Sequence, residues 1–230
     1  MVIKTFLRPS VIQFRALRNY ARKILTPQSH PPAGRQPAFD PETEKWFRNR
    51  ISSSKFYLEY GAGASTLLAA DALVPTISIE SDPRYADTVR AALPEDNFTE
   101  ILAVDIGRTE DWGYPLWTFK TNKATERWKA YPETGPIAFR KIDRFPDLVL
   151  IDGRFRVACA LCVVKAAIER RQSTQILFDD YALRPQYNIV ENILTESERI
   201  GRSKLFYVDP EKISLEETQL LLTTAYSDYS

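Results

Sequence analysis

Three groups of residues in this 230-residue chain have the types and spacing to do chemistry. The first is a bare loop directly behind a carboxylate. Glu59 lies near the end of the apolar run FYLEY, and Gly61, Ala62, Gly63, Ala64 and Ser65 follow. Glycine is scarce, 8 in the whole chain, so a close pair points to a turn that tightens and lets a ligand approach the main chain. Ser65 is placed to cap a following helix, whose free amide donors would face that ligand. The second group is made of acids at strand ends. Glu80, in TISIESD, follows at the distance expected of a carboxylate that accepts from ribose hydroxyls. Asp105, in LAVDIG, ends the next apolar run and is placed to accept from an adenine amino group. Together they describe a pocket for an adenine nucleoside. The third group is Asp152, ending DLVLID, with Asp179 and Asp180, ending QILFDD. Carboxylates gathered at neighbouring strand ends repel unless something positive sits between them, and Mg2+ or Ca2+ takes such oxygen donors. Asp152 can also accept a proton from a nucleophile. Arg154 and Arg156 behind it can hold an anionic substrate group, or pair with the acids themselves.

These residues fall at the joints of an alternating pattern. KFYLEY, TISIE, FTEILAVDI, DLVLID and TQILFDD read as strands. STLLAADAL, DPRYADTVRAAL, FRVACALCVVKAAIE and QYNIVENILTES read as helices. Apolar strand runs alternating with helices imply a parallel sheet covered on both faces, an α/β fold. SKLFYVD and TQLLLTTAY, separated by a short polar turn, read as a C-terminal antiparallel hairpin.

At these positions the sequence resembles the class I S-adenosylmethionine-dependent methyltransferases. LEYGAGAS is similar to their acid-x-Gly-x-Gly motif, SIESD to their ribose-binding acid, VDI to their adenine-side acid and PDLVLIDG to their fourth motif. The resemblance spans roughly residues 50–226. It implies a Rossmann-like three-layer sandwich with a mostly parallel seven-stranded sheet and a C-terminal antiparallel hairpin. It implies S-adenosyl-L-methionine as cofactor, contacted by Glu59, Gly61, Ala62, Gly63, Ser65, Glu80 and Asp105. Glu59 would then serve the cationic amino group of the methionine part. The implied reaction is methyl transfer to a hydroxyl or other nucleophile of a small molecule, with Asp152 and Arg154 at the reacting centre. Asp152, Asp179 and Asp180 look like the metal ligands of O-methyltransferases of the catechol and caffeoyl-coenzyme A type. Asp180 stands where those enzymes have Asn, and DGRFR replaces their lysine-bearing loop. Two other classes compete. A NAD(P)-binding oxidoreductase is disfavoured by Thr66 at the third fingerprint position and by Glu59 beside a pyrophosphate. A non-catalytic nucleoside-binding module would keep the pocket alone.

The remaining features bound the setting. A net charge of +1 and pI near 7.7 create no field that would draw nucleic acid, so a small-molecule substrate is expected and a homo-oligomer is left open. No apolar run approaches the roughly 20 residues of a membrane span. Cys159 and Cys162 fall within an apolar helical run and read as small buried hydrophobes. Residues 1–45 form a basic arm and Pro-rich linker ahead of a domain at 46–230. The arm is amphipathic, with Arg15, Arg18 and Arg22 opposite Phe14, Leu17 and Leu25. It fits docking on the domain, contact with an anionic membrane surface, or organelle targeting; a cytoplasmic location is the expectation. The insertion at 107–146 carries Trp112, Tyr114, Trp117, Trp128 and Tyr131, either as a substrate lid or as anchors to its own core.

Overall fold

The computed structural model describes residues 33–116 and 121–229. Most of the basic arm, including the stretch expected to be amphipathic, and Trp117 lie outside the described residues.

Continuous apolar runs become strands buried on both faces. β1 (Tyr57–Tyr60), β2 (Thr76–Glu80) and β4 (Leu148–Ile151) are buried at every position, and β5 (Thr174–Phe178) at all but Gln175. β3 (Thr99–Ala103) is half-exposed, as befits an edge. With β6 (Ser197–Ile200) and β7 (Ser203–Val208) the seven-stranded sheet has the order β3-β2-β1-β4-β5-β7-β6. β1 to β5 are mutually parallel, while β7 runs antiparallel to both β5 and β6. This is the expected Rossmann-like α/β sandwich. Winding reverses between β1 and β4, and at such a reversal the loops leave a crevice outside the C-terminal strand ends.

The covering layers follow from side-chain alternation. Val149 and Ile151 pack toward α4 (Asn122–Lys141), α5 (Arg156–Arg170) and α6 (Leu215–Ala225), in a core that includes Trp128, Tyr131 and Phe139. Leu148 and Leu150 pack on the opposite face against Phe47 of α1 (Pro41–Ile51) and Ala69 of α2 (Ala64–Asp71). α3 (Pro83–Ala91) completes that side through Ala86 and Val89.

Four local readings change. The hairpin is real, but its strands are β6 and β7, joined by a tight turn at Gly201 and Arg202. TQLLLTTAY belongs instead to α6, started by the Ser214 hydroxyl accepting from the Glu217 N–H, with Glu216 and Glu217 in the first turn. The stretch read as a helix from Gln186 is a 3-10 segment, Pro185–Asn192, followed by β6. The insertion consists largely of the crossover helix α4, which holds Pro132 and Pro136. Pro136 lacks the N–H that would bond the Pro132 carbonyl; the buried Tyr60 hydroxyl donates to that carbonyl instead, at 2.7 Å. α1 begins inside the stretch read as linker, capped by Asp40, whose carboxylate accepts from the Glu42 and Thr43 N–H groups, the Thr43 hydroxyl and the Arg202 N–H.

Candidate cofactor and substrate site

Two glycines in the β1 loop serve different ends. Gly61 has φ +100°, and a Cβ there would lie 2.8 Å from the Gly153 nitrogen and 2.9 Å from its Cα. The loops after β1 and β4 therefore touch main chain to main chain, an approach only glycine permits. At Gly63 a Cβ would meet only the Tyr85 hydroxyl, at 3.7 Å, an ordinary contact. Ser65 is not the cap expected of it. Gly63 takes that place, its N–H donating to the Thr66 hydroxyl at 2.8 Å, while the Ser65 hydroxyl donates to Glu59 at 2.7 Å.

Glu59 is fully buried behind the loop. It accepts from the hydroxyls of Tyr57, Ser65 and Thr66. Burial pushes its pKa up, and these hydroxyls oppose the push. With no surface of its own, it braces the loop and has no open face to offer a ligand. Glu80 lies at the crevice, 7% exposed. One oxygen accepts from the Ala62 N–H at 3.0 Å, tying the end of β2 to the β1 loop. The other accepts from the N–H groups of Ser81 and Asp82 at 2.6 and 2.9 Å and from the Ser81 hydroxyl at 3.1 Å. Burial raises its pKa against the pull of these donors. Asp105 is far more open, with 63% of its side chain exposed, and is ion-paired to Arg127 of α4. The Gly107 N–H first, then Arg127, hold its carboxyl below the usual range.

At the β4 and β5 ends, oxygens of Asp152, Asp179 and Asp180 all come within 4.8 Å of one another. The positive charge between them belongs to three guanidinium groups. Arg156 reaches Asp152 at 2.9 Å and Asp180 at 3.8 Å. Arg202 reaches Asp179 at 2.8 Å and Asp180 at 3.1 Å, and Arg184 reaches Asp180 at 3.6 Å. Asp179 also accepts from the Ser203 hydroxyl at 2.7 Å. Acids so neutralised are a poor donor set for a divalent cation, which would have to displace those arginines. Burial pushes Asp152 up, to about 7, with Asp179 and Asp180 adding to the push and Arg156 opposing it. About a third of its side chain still meets solvent (34%).

The two arginines behind Asp152 part company. Arg156 donates to the carbonyls of Gly153, Asp152 and Asp179 at 3.0, 3.0 and 2.8 Å, clamping the β4 turn to the end of β5. Arg154, 5% exposed, leaves Nε and Nη1 buried with no hydrogen-bond partner. Its guanidinium lies 4.0 Å from the Tyr114 ring centre. Tyr114 reaches it from a narrow bend that begins the insertion, closed by a bridge between Thr109 and Pro115 and by the Glu110 N–H donating to the Tyr114 carbonyl. This bend lays Gly113 against Ser81, so near that a Cβ would come within 2.5 Å of the Ser81 hydroxyl. Trp112 at its tip is 83% exposed, whereas Trp128 and Tyr131 are buried in the core. Sequence reasoning missed Arg184, Arg202 and Tyr187; all three lie in stretches whose local structure it misread or left as loop.

A crystal structure of a methyltransferase-like protein from Silicibacter pomeroyi DSS-3 aligns with this chain at a TM-score of 0.69 and 32% identity, covering 84% of this chain and 97% of that one. The chain belongs to that methyltransferase-like family, and the likeness supports a methyltransferase function in general terms. A hypothetical protein of Thermus thermophilus aligns at a TM-score of 0.37 and 13% identity over 91% of each chain, which carries no argument. No protein-family model matches the chain, nor does any curated protein. Among the described residues no helix is long and apolar enough to cross a membrane.

Proposed function

We propose that the protein is an S-adenosyl-L-methionine-dependent methyltransferase acting on a small-molecule nucleophile. The observation that carries this is the Glu80 carboxylate at the end of β2, tied to the Ala62 N–H of the β1 loop, one strand from the reversal of winding between β1 and β4. A carboxylate held there suits a pair of ribose hydroxyls, and Thr66 at the third fingerprint position disfavours a dinucleotide.

Bound in this crevice, S-adenosyl-L-methionine supplies a methyl group already activated on a sulfonium. The protein's part is alignment and exclusion of water. Glu59, through the hydroxyls of Ser65 and Thr66, fixes the loop that Gly63 opens. Asp152, with one oxygen held by Arg156, takes the proton from an acceptor hydroxyl as its oxygen–carbon bond forms. Arg156, Arg184 and Arg202 already meet the charge of Asp152, Asp179 and Asp180, so this reading calls on no metal.

Calorimetry tests it directly. Micromolar binding of S-adenosylhomocysteine is expected, with none of NAD or NADP, and Glu80→Ala should weaken the former at least tenfold. Binding of a nicotinamide cofactor alone would replace the assignment with an oxidoreductase.

A further inference from the structure

Arg154 Nε and Nη1 are not the only buried donors without a partner at this edge. The Tyr187 hydroxyl, on a fully buried side chain, is another. The two residues belong to one group of side chains. Tyr114 covers the Arg154 guanidinium, its hydroxyl lies 3.5 Å from Arg184 Nη1, and the guanidiniums of Arg184 and Arg156 lie 5.9 and 6.0 Å from the Tyr187 ring. The neighbouring acids are already engaged: Asp152, Asp179 and Asp180 by Arg156, Arg184 and Arg202, and Glu80 by main-chain donors and Ser81. Arg154 makes no ion pair among the described residues. Folded proteins rarely leave buried donors unpaired, because the desolvation is not recovered. Such groups gathered in one cluster at the strand ends suit an acceptor that arrives with a ligand, and a guanidinium favours an oxyanion.

We infer that Arg154 and Tyr187 receive a carboxylate or phosphate group of the methyl acceptor, which makes the acceptor a small acid. The assignment rests on the methyltransferase reading for the word acceptor, while the anion receptor itself stands on the unpaired donors. Tyr114 covers the guanidinium, its ring centre 4.0 Å from the guanidinium carbon. Arg154 and Tyr187 are thus substrate-binding residues, beside the proton acceptor Asp152.

The test uses the full chain, with inorganic phosphate and benzoate as probes, measured by calorimetry with and without S-adenosylhomocysteine. Arg154→Ala should weaken binding of at least one probe tenfold or more, and Tyr187→Phe several-fold, with S-adenosylhomocysteine affinity held within twofold. Tyr187→Phe removes a hydroxyl that bonds nothing among the described residues, so it keeps the test alive if Arg154→Ala fails to fold. Wild-type protein that binds neither probe, or variants that bind both probes unchanged, would overturn the inference. So would an Arg154→Ala protein that loses S-adenosylhomocysteine but not 5′-methylthioadenosine, since Arg154 would then hold the cofactor's own carboxylate. Probe binding that depends on Arg154, in a protein that does not bind S-adenosylhomocysteine, would support the receptor and sink the methyltransferase reading instead.

Discussion

Glu59 and Glu80 are both acids near the ends of adjacent strands, yet they meet different surroundings. Glu59 is enclosed by hydroxyls from Tyr57, Ser65 and Thr66, while Glu80 reaches across to the neighbouring loop. Their types and positions are legible in the sequence; which one faces the crevice is not, because that depends on how hydroxyls distant in space close around the first. Thr66 illustrates the point. As a fingerprint residue it is merely too large for close packing, whereas in the fold its hydroxyl links Glu59 to the Gly63 N–H. Asp152 carries the prediction at this scale. Its pKa is displaced upward to about 7, and a proton acceptor works only when ionised. Methyl transfer to a hydroxyl should therefore fall as pH drops below about 7 and level off above it. Asp152→Asn should cost on the order of 100-fold in kcat and flatten that profile. A profile that Asp152→Asn leaves unmoved would assign the proton transfer to another group.

Among the elements, the central strands and most of their covering helices are readable because burial on two faces imposes uninterrupted apolar runs. The C-terminal portion is harder. TQLLLTTAY has enough β-branched and apolar residues to pass for a strand, and what decides against it is the Ser214 cap with acids in the first turn. β6, by contrast, is mostly exposed, SERI, with burial only at Ile200, and exposed edge strands leave little hydrophobic signature. α1 supplies a prediction here. Asp40 loses some solvation on folding, which alone would raise its pKa, but the Thr43 hydroxyl and the N–H groups of Arg202, Thr43 and Glu42 outweigh this and hold it at about 2. A carboxyl whose pKa is depressed by folding contributes stability above its unfolded value, and that contribution disappears as pH falls toward the folded one. Asp40→Ala should thus cost about 1–2 kcal/mol near neutrality, allowing for partial exposure. In urea unfolding the gap between variant and wild type should close as pH falls from about 4 to about 2.

For the whole molecule, sheet order and charge arrangement bear on function together. The mostly parallel sheet follows from the pattern of runs, but its strand order and the neutralisation of the acid cluster do not, since Arg202 enters from a hairpin turn and Arg184 from a loop, each far along the chain from Asp152. Three acids met by three guanidiniums need no ion to hold the strand ends together. Melting temperature and methyl transfer should accordingly be unchanged by EDTA and by added Mg2+ or Ca2+. A metal-dependent rise in melting temperature that Asp179→Asn abolishes would show that the arginines yield to a cation. The contact of Gly61 with Gly153 has a further consequence. Because peptide planes abut there with no side chain to flex between them, the wall that would hold a nucleoside and the wall that would orient its reaction partner form a single stiff body, so any displacement of one is delivered undamped to the other.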